Sequence, residues 1–409
     1  MKAVVFHGVG DIRLDDVPEP TMQAGTDAII RVTACSICGT DLHLVRGTIP
    51  GMRKGTILGH EAVGMVEAVG PAVRTVKPGD RVVVCSTIAC GECIYCRSQE
   101  FACCQRANPN GPEAGTAYFG GPEMAGNFNG LQAEFARIPF ADTVLVPLPD
   151  SVTDRDALLL SDILPTGYLG AEMADVIPGD IVAVFGCGPV GQMAIASAQL
   201  MGASQVVGVD ALPDRLDMAR KQGAMAINYE EDDPVKVLKE LSSGYGPDSC
   251  IDAVGLDAQK PHAGPAKKEP LTDQIEHLIE QKMVAPFTVL AGDQWRQGDA
   301  PSQALQWCLQ SVRKSGVLSI IGLYSQAFLL FPIGFAMQKA LTVRAANCSH
   351  RKYVPELLSL IETSELQLSD IFTKLEPFSD VIDCYRHFDK REPGWLKVDL
   401  VPEGGSLAA

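Results

Sequence analysis

The sequence predicts an α/β protein in which an all-β, barrel-like lobe precedes a doubly wound parallel sheet. Three observations predict it. Residues 1–162 are rich in Gly, Pro and short β-branched runs punctuated by turn signals. Ile181–Phe185 (IVAVF) is a continuous apolar run, suited to a parallel strand buried on both faces, and a glycine turn follows it at once. Beyond that turn, strand-like and helical stretches alternate, which is the pattern of a doubly wound sheet.

The elements follow in order. MKAVVFHGVG reads as a strand entering a turn, not as a signal peptide. Ala28–Thr33 and Arg81–Cys85 are strands of the first lobe, and Pro78-Gly79-Asp80 is a turn before the second. After Ile181–Phe185, a helix runs from Pro189 to Met201 and closes at Gly202. Further strands are expected at Val206–Val209, Ala226–Tyr229, Ser249–Val254, Val317–Ile321 and Leu341–Ala345. Residues 256–302 form an insertion longer than an ordinary strand-to-helix connection, with one helix at Leu271–Met283 and a basic, Pro-rich start. No repeat or low-complexity tract is evident, and the tail GGSLAA is expected to fray.

Gly186-Cys187-Gly188-Pro189-Val190-Gly191 is G-x-G-x-x-G in the context that gives the pattern force, after a buried strand and opening a helix. Gly186 permits the tight turn, Gly188 lets backbone approach a pyrophosphate, and Gly191 allows close helix–strand packing. The helix N-terminus at Pro189 and Val190 favours the anion. Asp210, at the end of VVGVD, sits nineteen residues after Gly191. A carboxylate there accepts ribose hydroxyls and repels a 2′-phosphate, which favours NAD over NADP; the plainer alternative is that Asp210 caps the next turn.

Two cysteine-bearing clusters point to metal. Cys90, Cys93, Cys96 and Cys104 follow C-x2-C-x2-C-x7-C, within a lobe of about residues 85–110. Four thiolates at that spacing close around one tetrahedral Zn²⁺ and leave no open position, so the site builds structure. Disulfides are the alternative, and the absence of a secretory segment disfavours them. Cys103 beside Cys104 leaves the register of the fourth ligand to be checked. The second cluster is Cys38 in CGTDLH, His60 in GHE and Asp162 in SDILPTG. One S, one N and one O ligand leave a fourth position open, the pattern of catalytic zinc. Each alone reads as a structural residue; together they carry the inference.

With CGTDLH, GHEAVG, the four-cysteine lobe, SDILPTG and GCGPVG on one chain, the sequence resembles the zinc-dependent medium-chain alcohol dehydrogenases over nearly its whole length. The resemblance implies a GroES-like barrel from residues 1–162 and 347–409, and a Rossmann coenzyme domain at 163–346. It implies two Zn²⁺ per chain, NAD, and hydride transfer between an alcohol or hydrated aldehyde and the nicotinamide. Many members use cysteine where Asp162 stands; aspartate there resembles the glutathione-independent formaldehyde dehydrogenase and formaldehyde dismutase group. By the same resemblance Thr166 meets the nicotinamide, Arg215 the adenine side and Lys397 the pyrophosphate, while the backbone of Ile321 and Leu323 holds the carboxamide. Thr40 and His43 would relay the substrate proton outward, a histidine near pKa 6.5 suiting that handover at neutral pH. Glu61 would stand behind the metal as a neighbour or alternate ligand. Other histidines, His7, His262, His277, His350 and His387, sit in no motif. Relatives also carry an insertion near 256–302 that in some covers adenosine; a solvated surface excursion is the other reading.

The chemistry needs a metal because an alcohol proton has a pKa near 16, and zinc coordination brings a bound oxygen acid to about 7, roughly 12 kcal/mol of differential stabilisation. Alternatives on the same scaffold are a dehydrogenase for a polyol, amino alcohol or larger aromatic alcohol, or a non-catalytic binding or structural protein. Ala117–Phe119 and Phe328–Phe335 are pocket candidates, the latter equally a subunit interface in a homo-oligomer (dimer or tetramer).

Composition agrees. The 409 residues allow two sizeable cores, with 46% hydrophobic and 21% charged residues. A net charge of −16 disfavours nucleic acid and anionic membrane. No apolar run approaches the roughly 20 residues of a membrane span. Thirteen cysteines, five of them assigned to metal, imply a reducing compartment, the cytoplasm.

Overall fold

The computed structural model describes residues 1–267, 271–286, 288, 292–326, 328, 331–366 and 368–402. Over these residues the chain forms two compact units: Met1–Pro165, Phe287–Arg296 and Asn347–Ala409 in the first, Thr166–Pro286 and Gln297–Ala346 in the second. Strands of the first unit are β1 (Lys2–Gly8), β2 (Asp11–Asp16), β3 (Ala28–Ser36), β4 (Ala62–Val69), β5 (Arg81–Val84), β6 (Phe135–Ile138) and β7 (Leu145–Pro147). The second contributes β8 (Ile181–Phe185), β9 (Gln205–Asp210), β10 (Met225–Asn228), β11 (Ser249–Asp252), β12 (Val317–Ile320) and β13 (Thr342–Ala345). Two last strands, β14 (Lys374–Pro377) and β15 (Val398–Val401), return to the first unit.

In the first unit β1 and β2 form a hairpin, and the main sheet runs β14-β15-β3-β4-β5-β7 with β6 also on β3. Its β3–β4, β3–β6, β4–β5 and β5–β7 pairings are antiparallel. The C-terminal residues return because β15 pairs with β3, Asp399 opposite Ser36 and Leu400 opposite Cys35. That pairing brings residue 397 to the strand end that leads into Cys38.

The second unit is a six-stranded parallel sheet ordered β10-β9-β8-β11-β12-β13. On β8, Val182 and Val184 enter one core while Ala183 and Phe185 enter the other, so IVAVF is apolar throughout because both faces are covered. The strand order reverses between β8 and β11, the switch point at which such sheets bind ligands. The α/β class read from sequence is the observed one.

Boundaries shift by one to three residues. The strand expected to reach Val254 stops at Asp252, because the Asp252 Oδ1 accepts from Val254 N and Gly255 N and turns the chain. The insertion needs a correction. Its helix is present at Leu271–Val284, but its later described residues, 288 and 292–296, pack with the first unit. Trp295 N donates to Asp389 Oδ2 (2.6 Å), Lys390 Nζ reaches Asp293 (2.8 Å) and Thr288 Oγ1 donates to Arg46 O (2.8 Å). These charged and polar anchors on the first unit carry no sequence periodicity. The insertion's start stays in the second unit, where His262 N and Ala263 N donate to Glu230. Leu329, Leu330 and the tail GGSLAA lie outside the described residues.

Candidate active site and metal centres

The four-cysteine lobe assembles as its spacing requires. The Cys93–Cys96, Cys90–Cys96 and Cys93–Cys104 sulfurs are 3.5, 3.9 and 3.9 Å apart. Four Zn–S bonds of 2.3 Å in a tetrahedron separate the sulfurs by about 3.8 Å, whereas a disulfide needs about 2.05 Å. The set therefore fits Zn²⁺ and not paired cystines. Cys104 is the fourth member, and Cys103 is exposed outside the cluster. Backbone N–H groups favour thiolates: Glu92 N and Cys93 N point at Cys90 Sγ, and Cys90 N at Cys104 Sγ. Burial pushes the Cys93 thiol up, but backbone N–H groups and neighbouring sulfurs bring it down to about 6.

Three local devices converge on the second centre. Cys38 is the N-cap of the helix Gly39–Arg46 that follows β3. His60 precedes β4 and follows Gly59, whose positive φ of 89° and approach to Gln132 leave no room for a Cβ. Asp162 breaks the chain between the helices Asp154–Ser161 and Ile163–Met173. Ser161 ties that break to the sheet: its Oγ donates to Val84 O (2.6 Å) and accepts from Ala62 N (3.1 Å).

Cys38 Sγ is 3.6 Å from Asp162 Oδ2, and His60 Nε2 is 3.3 Å from the same oxygen. Tetrahedral coordination by S, N and O at ordinary zinc distances predicts separations of about 3.5 and 3.3 Å. The donor chemistry and spacing fit a zinc ion with one position left over. Burial pushes the Cys38 thiol up, so its thiolate needs a cation beside it. Asp162 is also buried, yet hydrogen bonds from His350 and His60 hold its carboxyl well below the usual range. Burial disfavours charged His60, but Asp41 and Cys38 carry its pKa well above normal.

Glu61 joins this cluster, with a carboxylate oxygen within 4.8 Å of the other donors. Glu61 is itself paired with Lys397. The lysine side chain is fully buried, with Nζ 2.8 and 2.6 Å from the Glu61 oxygens and 3.0 Å from Ile37 O. An ammonium held in that way neutralises Glu61 behind the metal centre. The β15–β3 pairing puts it there.

Thr40 Oγ1 lies 3.9 Å from Cys38 Sγ. His43 is buried, its Nδ1 2.8 Å from Thr48 Oγ1, whose hydroxyl donates to His43 O (3.1 Å). Two groups had no assigned role in the sequence reading. Asp41 Oδ1 stands 3.2 Å from His60 Nδ1 while Oδ2 accepts from Cys38 N (2.9 Å), so one carboxylate lies against two ligand residues. Its signal was legible, three residues after Cys38 in a capping box. His350, in no motif, meets Asp162 Oδ1 at 2.8 Å.

In the second unit Gly188 caps the helix Pro189–Leu200, Pro189 is its first residue, and no side chain caps it. A Cβ on Gly191 would lie 1.8 Å from Gly186 O, so only glycine permits this packing. Val190 lies in that first turn. Asp210 Oδ2 accepts from Cys187 N (2.8 Å) and Oδ1 from Ala211 N and Leu212 N (2.8 and 3.0 Å), so it does cap the turn. Arg215 Nη1 is 3.8 Å from Asp210 Oδ2 and borders Gly188. An uncapped helix start, a glycine cradle and a carboxylate at the strand end fit a dinucleotide. Ile321 N donates to Asp252 O, and Leu323 O accepts from Leu256 N (both 3.0 Å). Thr166 is half-buried on the helix Ile163–Met173.

Comparison with known proteins gives two family matches, "Alcohol dehydrogenase GroES-like domain" over residues 24–150 and "Zinc-binding dehydrogenase" over 189–261. The chain is 36% identical over 406 residues to the uncharacterized zinc-type alcohol dehydrogenase-like protein AdhB of Bacillus subtilis, covering 98% of this chain and 100% of that protein. It is 34% identical over 413 residues to a glutathione-independent formaldehyde dehydrogenase of Pseudomonas aeruginosa, covering 97% of each. Among solved structures, alcohol dehydrogenase TADH from Thermus sp. ATN1 is 34% identical with a TM-score of 0.80, over 98% of this chain and all of that one.

Proposed function

This chain belongs to the zinc-type medium-chain alcohol dehydrogenase family, and from that premise we propose that it oxidises a short primary alcohol or a hydrated aldehyde with NAD. The observation that carries the reading is the convergence of Cys38 Sγ and His60 Nε2 within 3.6 Å of Asp162 Oδ2. Asp162 as third ligand and the similarity to the Pseudomonas protein support the aldehyde side of the substrate range.

A bound zinc would supply electrophilic stabilisation of the substrate oxygen, and a bound nicotinamide would supply hydride-accepting chemistry. The chain's own residues do the rest. Cys38, His60 and Asp162 would hold the metal, with Asp41 beside His60 and Lys397 compensating Glu61. Thr40 takes the substrate hydroxyl proton and His43 passes it outward, held in register by Thr48. Gly186, Gly188 and Gly191 admit the pyrophosphate to the start of the helix Pro189–Leu200, and Asp210 accepts the ribose hydroxyls through its remaining lone pairs. Thr166, Arg215, Ile321 and Leu323 border the cofactor. A panel of primary alcohols, polyols, aromatic alcohols and formaldehyde, followed by NADH absorbance, tests the substrate class. A polyol or aromatic alcohol turned over far faster than every short substrate overturns it.

Asp210→Ala tests the cofactor. Losing charge-assisted hydrogen bonds worth about 1.5–3 kcal/mol lowers kcat/KM for NAD by about tenfold to a hundredfold and raises relative use of NADP. An unchanged NAD/NADP ratio leaves Asp210 as a turn cap alone, and a thermal midpoint separates that structural role from binding.

The partner is a second copy of this chain. β13 is the edge of the parallel sheet, and Val343 on it is exposed together with Ile333, Phe335 and Met337 on the preceding helix. An open edge beside exposed apolar side chains is a pairing surface. Light scattering is expected to give at least a dimer, and Val343→Glu to give monomer; a wild-type monomer at micromolar concentration excludes the pairing. A cytoplasmic location rests on thirteen thiols that need a reducing compartment. No helix among the described residues is long and apolar enough to cross a membrane.

A further inference from the structure

A carboxylate in place of a thiolate raises a problem that a thiolate does not have. Sulfur offers one donor atom, but a carboxylate offers two and can chelate through both. Asp162 binding through both oxygens would fill the position that substrate needs. Its two oxygens have different surroundings in this chain. Oδ2 faces Cys38 Sγ and His60 Nε2 at 3.6 and 3.3 Å. Oδ1 lies 2.8 Å from His350 Nε2.

His350 is itself fixed. It is only 4% exposed and opens the helix His350–Glu362. Its Nδ1 is 2.9 Å from Thr87 Oγ1, and the Thr87 hydroxyl donates to Cys348 O at 2.8 Å. The Thr87 hydroxyl holds the Nδ1 edge of the ring in place. The imidazole is therefore clamped at one nitrogen and aims the other at Oδ1. The residue before it, Ser349, accepts from Ala102 N through its Oγ (3.0 Å), which steadies the helix start from the four-cysteine lobe.

We propose that His350 is the positioning residue of the carboxylate ligand: it engages Asp162 Oδ1, so that Oδ2 alone faces the ion and one coordination position stays open for substrate. This inference rests on the reading that Cys38, His60 and Asp162 hold the catalytic metal. His350 does not touch the reacting atoms; it acts through Asp162. Elsewhere in the site Asp41 stands beside His60, and Lys397 beside Glu61.

The test uses the full chain with Co²⁺ exchanged into the second site, because cobalt absorption distinguishes four-coordinate from five-coordinate geometry. His350→Ala is expected to weaken the four-coordinate bands and to lower metal affinity by about 10- to 100-fold in competition with a chelator, with the four-cysteine site still loaded. His350→Gln, which can return an N–H to Oδ1, is expected to restore most of both readouts. Thr87→Val, which removes the clamp and keeps the imidazole, gives a smaller change in the same direction and serves where His350→Ala does not fold. Wild-type cobalt bands and wild-type affinity in His350→Ala and Thr87→Val overturn the proposal and make His350 an ordinary packed histidine. Asp162→Ala is the control for the premise: retention of two metals by that variant overturns the metal assignment itself.

Discussion

Cys38→Ala is expected to purify with one zinc per chain in place of two and to lose NADH formation by a thousandfold or more. The argument is energetic. Zinc lowers a bound oxygen acid by about nine units, roughly 12 kcal/mol. Forfeiting a third of that, about 4 kcal/mol, already slows turnover about a thousandfold. No side chain nearby can replace it. Thr40 is a hydroxyl, and an imidazole is too weak a base to take an alcohol proton unaided. The fold should survive, because Cys38 caps one helix and Asp41 still accepts from the residue 38 N–H. Metal content by atomic absorption, turnover by NADH absorbance and a thermal scan distinguish loss of the centre from loss of the fold. Near-wild-type turnover with a single zinc would falsify the assignment of Cys38, His60 and Asp162 as the reactive centre.

Much of this site was legible because its parts are short and locally patterned. The Cys90–Cys104 spacing, the glycine turn after IVAVF and the strands β8 to β13 are set by neighbours along the chain. Periodicity and ligand spacing report such features. Asp41 was within reach on the same terms, since a carboxylate three residues after a helix-capping cysteine has a local geometric purpose. His350 was not. It reaches Asp162 across 188 residues, and only the packing of the helix His350–Glu362 makes them neighbours. The Lys397–Glu61 contact was hidden for a related reason: it is set by β15 pairing with β3, which no residue near 397 announces. The docking of Trp295 on Asp389 is likewise a tertiary event, made by a backbone N–H that carries no side-chain signature.

Tertiary dependence also sets the second large effect. Cys104→Ser is expected to lower the thermal midpoint and, less obviously, to weaken the metal held by Cys38, His60 and Asp162 by about tenfold or more. The first half follows from how little else holds the lobe. Between Cys90 and Cys104 there is one turn of helix at Ile94–Arg97 and a 3₁₀ turn at Phe101–Cys103, with Ile94 and Tyr95 exposed. Such a segment has almost no core of its own. Its order comes from a metal whose binding, in small zinc domains, is worth about 10–16 kcal/mol of apparent folding free energy. The second half follows from the bonds that leave the lobe. Ala102 N, two residues before Cys104, holds Ser349 Oγ, and Thr87, three residues before Cys90, holds His350. Both anchors of the group that steadies Asp162 therefore lie at the edges of this lobe. Chelator titration of wild type and Cys104→Ser, with zinc release followed by a chromophoric indicator, reads the linkage directly. Independent lobes would leave the second zinc as tightly bound in Cys104→Ser as in wild type. Linked ones release it in step with His350→Ala, since both variants loosen the same carboxylate.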